Sequence, residues 1–255
     1  DFTYVQDVID ANILAATHTN KLNGESFNIG NGNNYSVNEV ADMLGGKKTY
    51  GEKRLEPYET LADNSKAKTI LGWKPKGDLS TWVKKSKLGA DQRMIEASTG
   101  TDGNNVSGIE SDPDRIRVIF YNAPTVNINL KTNALLRDIS AWYHIVLAID
   151  TTQGTASNRA KLYVNGVQQT SFDTATYPNQ NVDTDWNLNN NNIRIGRRVD
   201  SSPEYYDGYM AEIVSVDGQA LAPTSFGEFN SQTGIWVPKV VTGLTFGTNG
   251  FYLPF

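Results

Sequence analysis

The sequence has no cysteine, only two histidines and only three methionines among its 255 residues. Disulfides, thiolate metal sites and cysteine nucleophiles are therefore excluded, although a reducing compartment does not follow. No apolar run approaches the ~20 residues that a membrane-spanning helix needs. No charged-then-apolar leader opens the chain, which starts at Asp1, so its natural start is expected elsewhere. Positive charge is also short. With 23 basic residues against 28 acidic ones the net charge is −5, the wrong sign for a chain that holds nucleic acid by neutralising phosphates. A hydrophobic fraction of 38% and this length suit one large globular domain or two modest ones.

The composition changes along the chain. Residues 1–85 balance 11 basic against 11 acidic side chains, and the remainder carries the whole acidic excess. In the first part Val5, Val8, Ile9, Asn12, Ile13 and Ala16 recur at helical spacing, predicting an amphipathic helix over residues 7–17. Gly24 to Gly30 reads as a short buried strand closed by a glycine turn. Ser36 and Glu39 form a capping box that opens a helix through Leu44, and a further short helix runs from Asp63 to Leu71. Beyond residue 86 the pattern alternates with period two. Strands are expected over residues 115–121, 142–149, 193–196 and 209–216, and Asn165-Gly166 between apolar alternations predicts a hairpin. Phe120, Tyr163 and Tyr209 fall on the inward positions of that alternation.

The segments Asp1-Phe2-Thr3-Tyr4-Val5-Gln6-Asp7-Val8, Phe27-Asn28-Ile29-Gly30-Asn31-Gly32, Ser36-Val37-Asn38-Glu39-Val40-Ala41 and Leu71-Gly72-Trp73-Lys74-Pro75 occur in the order seen in the C-terminal part of extended short-chain dehydrogenases. Residues 1–79 thus resemble a fragment of a sugar-nucleotide epimerase or dehydratase. The resemblance implies an α+β fragment that completes a nucleotide-sugar pocket, with Lys53, Arg54 and Glu56 as relics of its diphosphate and ribose contacts. The catalytic equipment of that family is not in the chain. Gly30-Asn31-Gly32 lacks the completion of a dinucleotide turn, and none of the 12 tyrosines has lysine four residues later. No catalytic residue and no nicotinamide cofactor are expected.

From about Ser80 onward the sequence resembles a laminin-G-like, concanavalin A-like jelly roll of the kind found in marine phage structural proteins. The matching segments include Thr81-Trp82-Val83-Lys84-Lys85, Ala141-Trp142-Tyr143-His144-Ile145-Val146, Leu162-Tyr163-Val164-Asn165-Gly166-Val167 and Tyr206-Asp207-Gly208-Tyr209-Met210-Ala211-Glu212. The expected fold is mainly β, an antiparallel jelly-roll sandwich over residues 80–255 behind the α+β fragment 1–79. Such jelly rolls usually carry a strand or two before the Trp-Val-Lys segment, so the sandwich is expected to lack them. The resemblance implies a lectin-like or virion adhesion module, extracellular or virion-associated, with cell-surface glycans and other virion proteins as partners.

Four aromatics in expected loops, Tyr177, Trp186, Tyr205 and Tyr206, are the candidate sugar platform, because exposed rings stack on sugar faces. Asp183 and Asp185 in an Asn-rich loop offer the hard oxygen ligands that calcium takes. Glycoside hydrolysis finds no support. The run Glu110-Ser111-Asp112-Pro113-Asp114-Arg115 places arginine where the glucanase motif Glu-x-Asp-x-x-Glu needs its last carboxylate, and Pro113 opposes a central strand. His144 is expected to be structural and His18 to lie at the surface.

Overall fold

The computed structural model describes residues 5–30, 38, 48–49, 62–73, 77–98, 105–122, 124–182, 184, 186, 192–198, 204–244, 246–247 and 249–254. By internal contacts the chain divides into two compact units, Asp1–Pro75 and Lys76–Phe255.

In the first unit, α1 (Val5–Ala16) precedes a π-helical turn, Ala67–Leu71, which Gly72 closes at φ +65°. Ala11 of α1 packs with Ala67, Leu71 and Trp73, joined by half-buried Leu14, Leu22, Phe27 and Ile29. The expected apolar stripe is turned the other way: Val8, Ile9 and Ile13 are exposed. Gly24–Gly30 is not a strand. A strand requires a neighbour for its backbone groups, and none pairs with this segment among the described residues. His18 is partly exposed, and its Nε2 lies 2.9 Å from the Ile70 carbonyl, tying the end of α1 to the π turn. The capped helix from Ser36 to Leu44, apart from helical Asn38, lies outside the described residues.

The second unit is antiparallel β. Its strands in chain order are β1 (Gly77–Lys85), β2 (Gln92–Ser98), β3 (Asn105–Ser111), β4 (Ile116–Asn122), β5 (Thr125–Thr132) and β6 (Tyr143–Ile149). They continue with β7 (Ala160–Val164), β8 (Val167–Gln168), β9 (Phe172–Thr176), β10 (Asn192–Ile195) and β11 (Gly208–Asp217). Three short ones follow: β12 (Gly227–Phe229), β13 (Trp236–Pro238) and β14 (Phe251–Leu253). One six-stranded sheet has the order β14-β11-β1-β6-β7-β8, the other β10-β2-β3-β4-β5-β9, and β12 pairs with β13. The strand that carries Trp82, first in chain order, is interior in its sheet: β1 sits between β11 and β6.

Side chains from both sheets make the core, among them Leu79, Val83, Ile109, Val118, Phe120, Leu130, Ile145, Leu147 and Ile213. Alternation places them, as β4 shows: Ile116, Val118 and Phe120 are buried while Arg117, Ile119 and Tyr121 are half-exposed. The hairpin forms at Asn165-Gly166, both at positive φ (49° and 76°), as a two-residue turn matched to strand twist requires. The first sheet is covered on its other face too. Val146, Val214 and Val216 there pack with Phe226, Leu221, Leu244, Phe246 and Tyr252 from the C-terminal segment.

Two bulges re-aim side chains. Between Arg93 and Ile95 an extra residue in β2 brings Arg93 and Glu96 onto one face, where they pair at 3.0 Å. In β11, Ile213 and Glu212 together oppose Thr81 of β1, with Glu212 at φ +49°. The extra residue reverses the inside and outside of the strand's first half. Met210 therefore packs on the core and Tyr209, expected inside, is 62% exposed. Phe120 is buried as expected, and Tyr163 is half-buried against the outer cluster.

The end of β1 is tied to the β3–β4 turn by a buried ion pair. Lys85 Nζ lies 2.8 Å from Asp114 Oδ1 and 2.9 Å from Ser111 Oγ, and Gly89 N–H donates to the same carboxylate at 2.9 Å. Burial opposes the charge of Asp114, yet Lys85, Gly89 and Arg137 outweigh it and hold its carboxyl below the ordinary value. Lys85→Ala leaves that charge buried without its partner, and urea unfolding should show a loss of about 3–5 kcal/mol. The double change Lys85→Met with Asp114→Asn, which keeps a side chain tolerant of φ +60°, should recover much of it.

Candidate functional site

The outer face of the first sheet carries a concentration of aromatic rings that no local motif announces. Trp82 of β1 stacks on His144 of the neighbouring β6 with ring centroids 4.6 Å apart. Trp236 of β13 lies beside His144 with ring centroids 5.9 Å apart and planes 21° from parallel, and Phe226 approaches edge-on at 6.5 Å. Trp236 is held close to backbone: a Cβ on Gly166 or Gly227 would lie 2.5 Å or 2.7 Å from its ring. Both glycines are thus required by this ring, and Gly166 also by its turn.

His144 lies against Ser80, the pairing that a serine nucleophile would need, with Nε2 at 2.8 Å from Oγ. The proton is in the wrong place for that chemistry. Trp236 Nε1–H can only donate, and it donates to His144 Nδ1 at 2.9 Å. The proton of neutral His144 therefore sits on Nε2 and is donated to Ser80, so the imidazole has no lone pair left to act as base. Burial, with no charged partner, pushes its pKa down to about 3. The structural role expected of His144 follows from this geometry.

Beside this stack the sheet opens into a cleft of about 440 Å³ lined by Trp82, Trp142, Ala211, Glu212, Ile235 and Trp236, with Ala141 and Pro238. That volume suits a small-molecule ligand. Trp142 is 41% exposed and Ile235 62%, while Trp82 and Trp236 form a buried floor. The Trp82 indole N–H is buried without a hydrogen-bond partner. The wall contains one carboxylate, Glu212, and the bulge puts it there. Glu212 Oε2 accepts a hydrogen bond from the Tyr252 hydroxyl, and that bond leads the causes that raise the Tyr252 pKa to about 12. The phenol thus remains a donor at neutral pH.

The outer face of the second sheet is a network of ion pairs. Glu110, buried, is held by Arg93 Nη1 at 2.9 Å and Arg117 Nη1 at 3.2 Å, one on each oxygen. Arg117 also meets Asp112 at 3.1 Å, and Lys131 meets Asp112 at 3.0 Å. Arg93 reaches Glu204 at 3.7 Å, which Arg198 holds at 2.8 Å. Burial raises the pKa of Glu110, with the two arginines opposing. Both of its oxygens are committed to cations, so the carboxylates of the Glu110–Asp114 run serve the fold. Pro113 sits in the turn between β3 and β4 and interrupts neither strand.

The four aromatics expected to form a sugar platform do not share one environment. Trp186 is buried, stacked on Phe120 at 6.1 Å, and its Nε1–H donates to Ser215 Oγ at 3.3 Å. Tyr177 and Tyr206 are half-buried against the same core. Burial, followed by Asp207, raises the Tyr206 pKa. Tyr205 alone of the four is exposed, at 60%, beside an isolated bridge to Arg197. Asp183 and Asp185, and likewise Lys53, Arg54 and Glu56, lie outside the described residues. Among the described residues no group of three or more His, Cys, Asp or Glu side chains could hold a metal ion. The cleft residues Trp142, Glu212 and Trp236 were not singled out from sequence. Trp142 stands one position before a core strand, Glu212 is displaced by a bulge, and Trp236 sits in a three-residue strand, so none has a periodicity to reveal it.

A family model described as the concanavalin A-like lectin/glucanases superfamily matches residues 79–224, more than half of the chain. The chain belongs to that superfamily. Its antiparallel two-sheet architecture is the one expected from sequence. Curated relatives match a different feature. A UDP-glucose 4-epimerase of Lactobacillus helveticus is 41% identical over 86 residues, 30% of this chain and 26% of the relative. One of Halalkalibacterium halodurans is 38% identical over 85 residues, 30% of this chain and 25% of the relative. The chain spans about a quarter of the length of these relatives, which accords with the resemblance of the N-terminal segment to sugar-nucleotide epimerases. Among solved structures, a Ruminococcus gnavus IT-sialidase CBM40 bound to α2,3-sialyllactose is similar at 16% identity and TM-score 0.41, over 58% of this chain and 79% of that one. A heptameric SAP-like pentraxin from Limulus polyphemus is similar at 13% identity and TM-score 0.38, over 58% and 65%. Likenesses at this level carry no argument about ligands.

Two outcomes follow from the geometry. Trp186→Ala should cost about 3–5 kcal/mol of stability in urea unfolding, as for a large ring removed from a core. The second concerns acid. Between the ordinary histidine value of 6.5 and the folded value of about 3, the unfolded chain binds one proton more than the folded one. Stability contributed by His144 is therefore complete above that window and lost as pH falls through it, by up to about 1.4 kcal/mol per pH unit. Urea midpoints at pH 7 and pH 4.5 should converge in His144→Gln relative to wild type, and nitrogen NMR should show an untitrated, Nε2-protonated ring at pH 5.

Proposed function

We propose that this chain is a non-enzymatic, lectin-like carbohydrate-binding module, and that the three-tryptophan cleft on the outer face of the first sheet is its sugar site. The observation that carries the reading is the combination of exposed Trp142, the Trp82–Trp236 floor and a polar wall at Glu212, whose Oε2 the Tyr252 hydroxyl holds. Pyranose rings present an apolar C–H face and a rim of hydroxyls, and an aromatic surface edged by a few polar groups answers both. Membership of a superfamily that includes lectins supports the same reading.

The resemblance to phage structural proteins extends the proposal to an adhesion module of a virion that meets cell-surface glycans and other virion proteins. In that arrangement residues 80–255 are the laminin-G-like jelly roll and residues 1–79 a C-terminal fragment of an epimerase or dehydratase. Asp183 and Asp185 are then the candidate calcium ligands, and Lys53, Arg54 and Glu56 the nucleotide-sugar relics. A second reading is favoured by the identity to epimerases: the chain is part of a sugar-nucleotide epimerase whose catalytic half lies outside it. Reading the gene upstream of Asp1 separates the two, since a glycine-rich strand–turn–helix followed by Tyr-x-x-x-Lys would establish the enzyme.

A glycan array followed by affinity electrophoresis in the retained polysaccharide tests the module. Trp142→Ala, a surface change, should weaken retention about tenfold or more with no change in unfolding midpoint. Loss of retention on Tyr205→Ala with Trp142→Ala unaffected would move the site to the loop aromatics, and no retention on any sugar would leave a scaffold role.

A further inference from the structure

The Glu212 carboxylate is an unusual group to find in the wall of an aromatic cleft. It is half-buried, in a cleft whose other lining side chains are tryptophan, isoleucine, alanine and proline. A charge partly withdrawn from water among apolar groups is costly unless it is paired. Among the described residues its one hydrogen-bond partner is neutral, the Tyr252 hydroxyl on Oε2. Among the described residues no lysine, arginine or histidine forms an ion pair with it. Oε1 is thus left to accept from whatever enters. The second sheet makes the contrast: there Glu110, Asp112 and Glu204 are each held by arginine or lysine.

The position is enforced by the backbone. Glu212 is the bulged residue of β11 at φ +49°, a conformation unfavourable for glutamate. The bulge turns its side chain to the cleft instead of leaving it in the regular alternation. Around it stand indole rings, whose faces attract cations more strongly than any other side chain's. An unpaired carboxylate and indole faces together favour one class of ligand over its neutral and acidic relatives.

Resting on the reading of this cleft as a sugar site, we infer that it selects sugars bearing a free ammonium group, that is amino sugars and their unacetylated oligomers. The C–H face of the ring lies on Trp142, and the ammonium donates to Glu212 Oε1. A neutral hydroxyl can make the same hydrogen bond without the charge, and an acetylated amine removes the charge and adds bulk. A uronic acid meets Glu212 with like charge.

The test is calorimetric titration of the whole chain with four oligosaccharides of equal length: a glucosamine tetramer, its N-acetylated counterpart, cellotetraose and a galacturonate tetramer. The glucosamine tetramer should bind about tenfold tighter than the acetylated and neutral tetramers at low salt, the worth of charge assistance in a half-buried hydrogen bond. The galacturonate tetramer should bind weakest. Glu212→Gln, isosteric and still able to accept from Tyr252, should reduce the amine preference to below about twofold. Asp173→Asn, which removes the same charge from the far sheet, should leave that preference intact and so exclude a net-charge effect. Equal affinity for amine and neutral tetramers, both lost in Trp142→Ala, would overturn the inference and keep the sugar site. Binding to none of the four, or binding that Trp142→Ala does not alter, would overturn the reading of the cleft itself.

Discussion

A single extra residue in β11 decides which side chains the first sheet turns inward and which it turns to the cleft on its outer face. At Glu212 the ladder with β1 slips by one, so that Ile213, Val214 and Val216 follow one alternation and Tyr209, Met210 and Ala211 the other. Without the slip Tyr209 would point into the core and Met210 out. With it, Met210 fills the core, Ala211 opens space beside Trp82, and the Glu212 carboxylate joins the cleft wall. Strain at a glutamate in the left-handed region is sustained because the flanking ladder, paired on both sides to β1 and β14, over-determines it.

Around that slip the sheet is buried on two faces for two different reasons. Its inner face meets the second sheet through aliphatic side chains. Its outer face is covered by the C-terminal segment, which supplies Phe226, Trp236, Phe246 and Tyr252. That cover stops at the cleft, where Trp142 and Ile235 remain exposed. His144 belongs to the cover: its two nitrogens join Ser80 to Trp236 and hold the floor of the cleft at a fixed height. A neutral, fully bonded imidazole rigidifies the floor without adding charge. The only carboxylate in the lining is then Glu212.

The two sheets manage charge in opposite ways. On the second, carboxylates and basic groups interlock, and the ion pairs hold register across β2, β3, β4 and β5. Breaking any one leaves a partly buried charge without its partner. On the first, outside the Lys85–Asp114 tie, the buried carboxylates Asp78 and Asp217 accept hydrogen bonds from Leu221 and Asn249, and at the cleft the Trp82 N–H has no partner among the described residues.

Alternation and turn chemistry made part of the sandwich legible in advance: β4, β6, the β7–β8 hairpin, β10 and β11 were read, whereas β2, β3, β5 and β9 were not. Ile116 to Asn122 reads as a strand because its period is two, and Asn165-Gly166 reads as a hairpin because both residues accept positive φ. The interior place of β1 was not legible, since pairing partners lie 60 to 140 residues away and strand order leaves no mark in local pattern. Trp186 read as a loop aromatic because its neighbours are asparagines, yet the ring reaches Phe120 and the core. Tyr209 was misplaced by a bulge that periodicity cannot register. By itself the sequence determined the strongly alternating strands, the Asn165-Gly166 turn and the absence of thiol chemistry, all of which are read from composition or from neighbours a few residues apart. Only the tertiary structure decided that Trp82, Trp142, Glu212 and Trp236 surround one cleft, because long-range pairing and a one-residue slip, not spacing, bring them together.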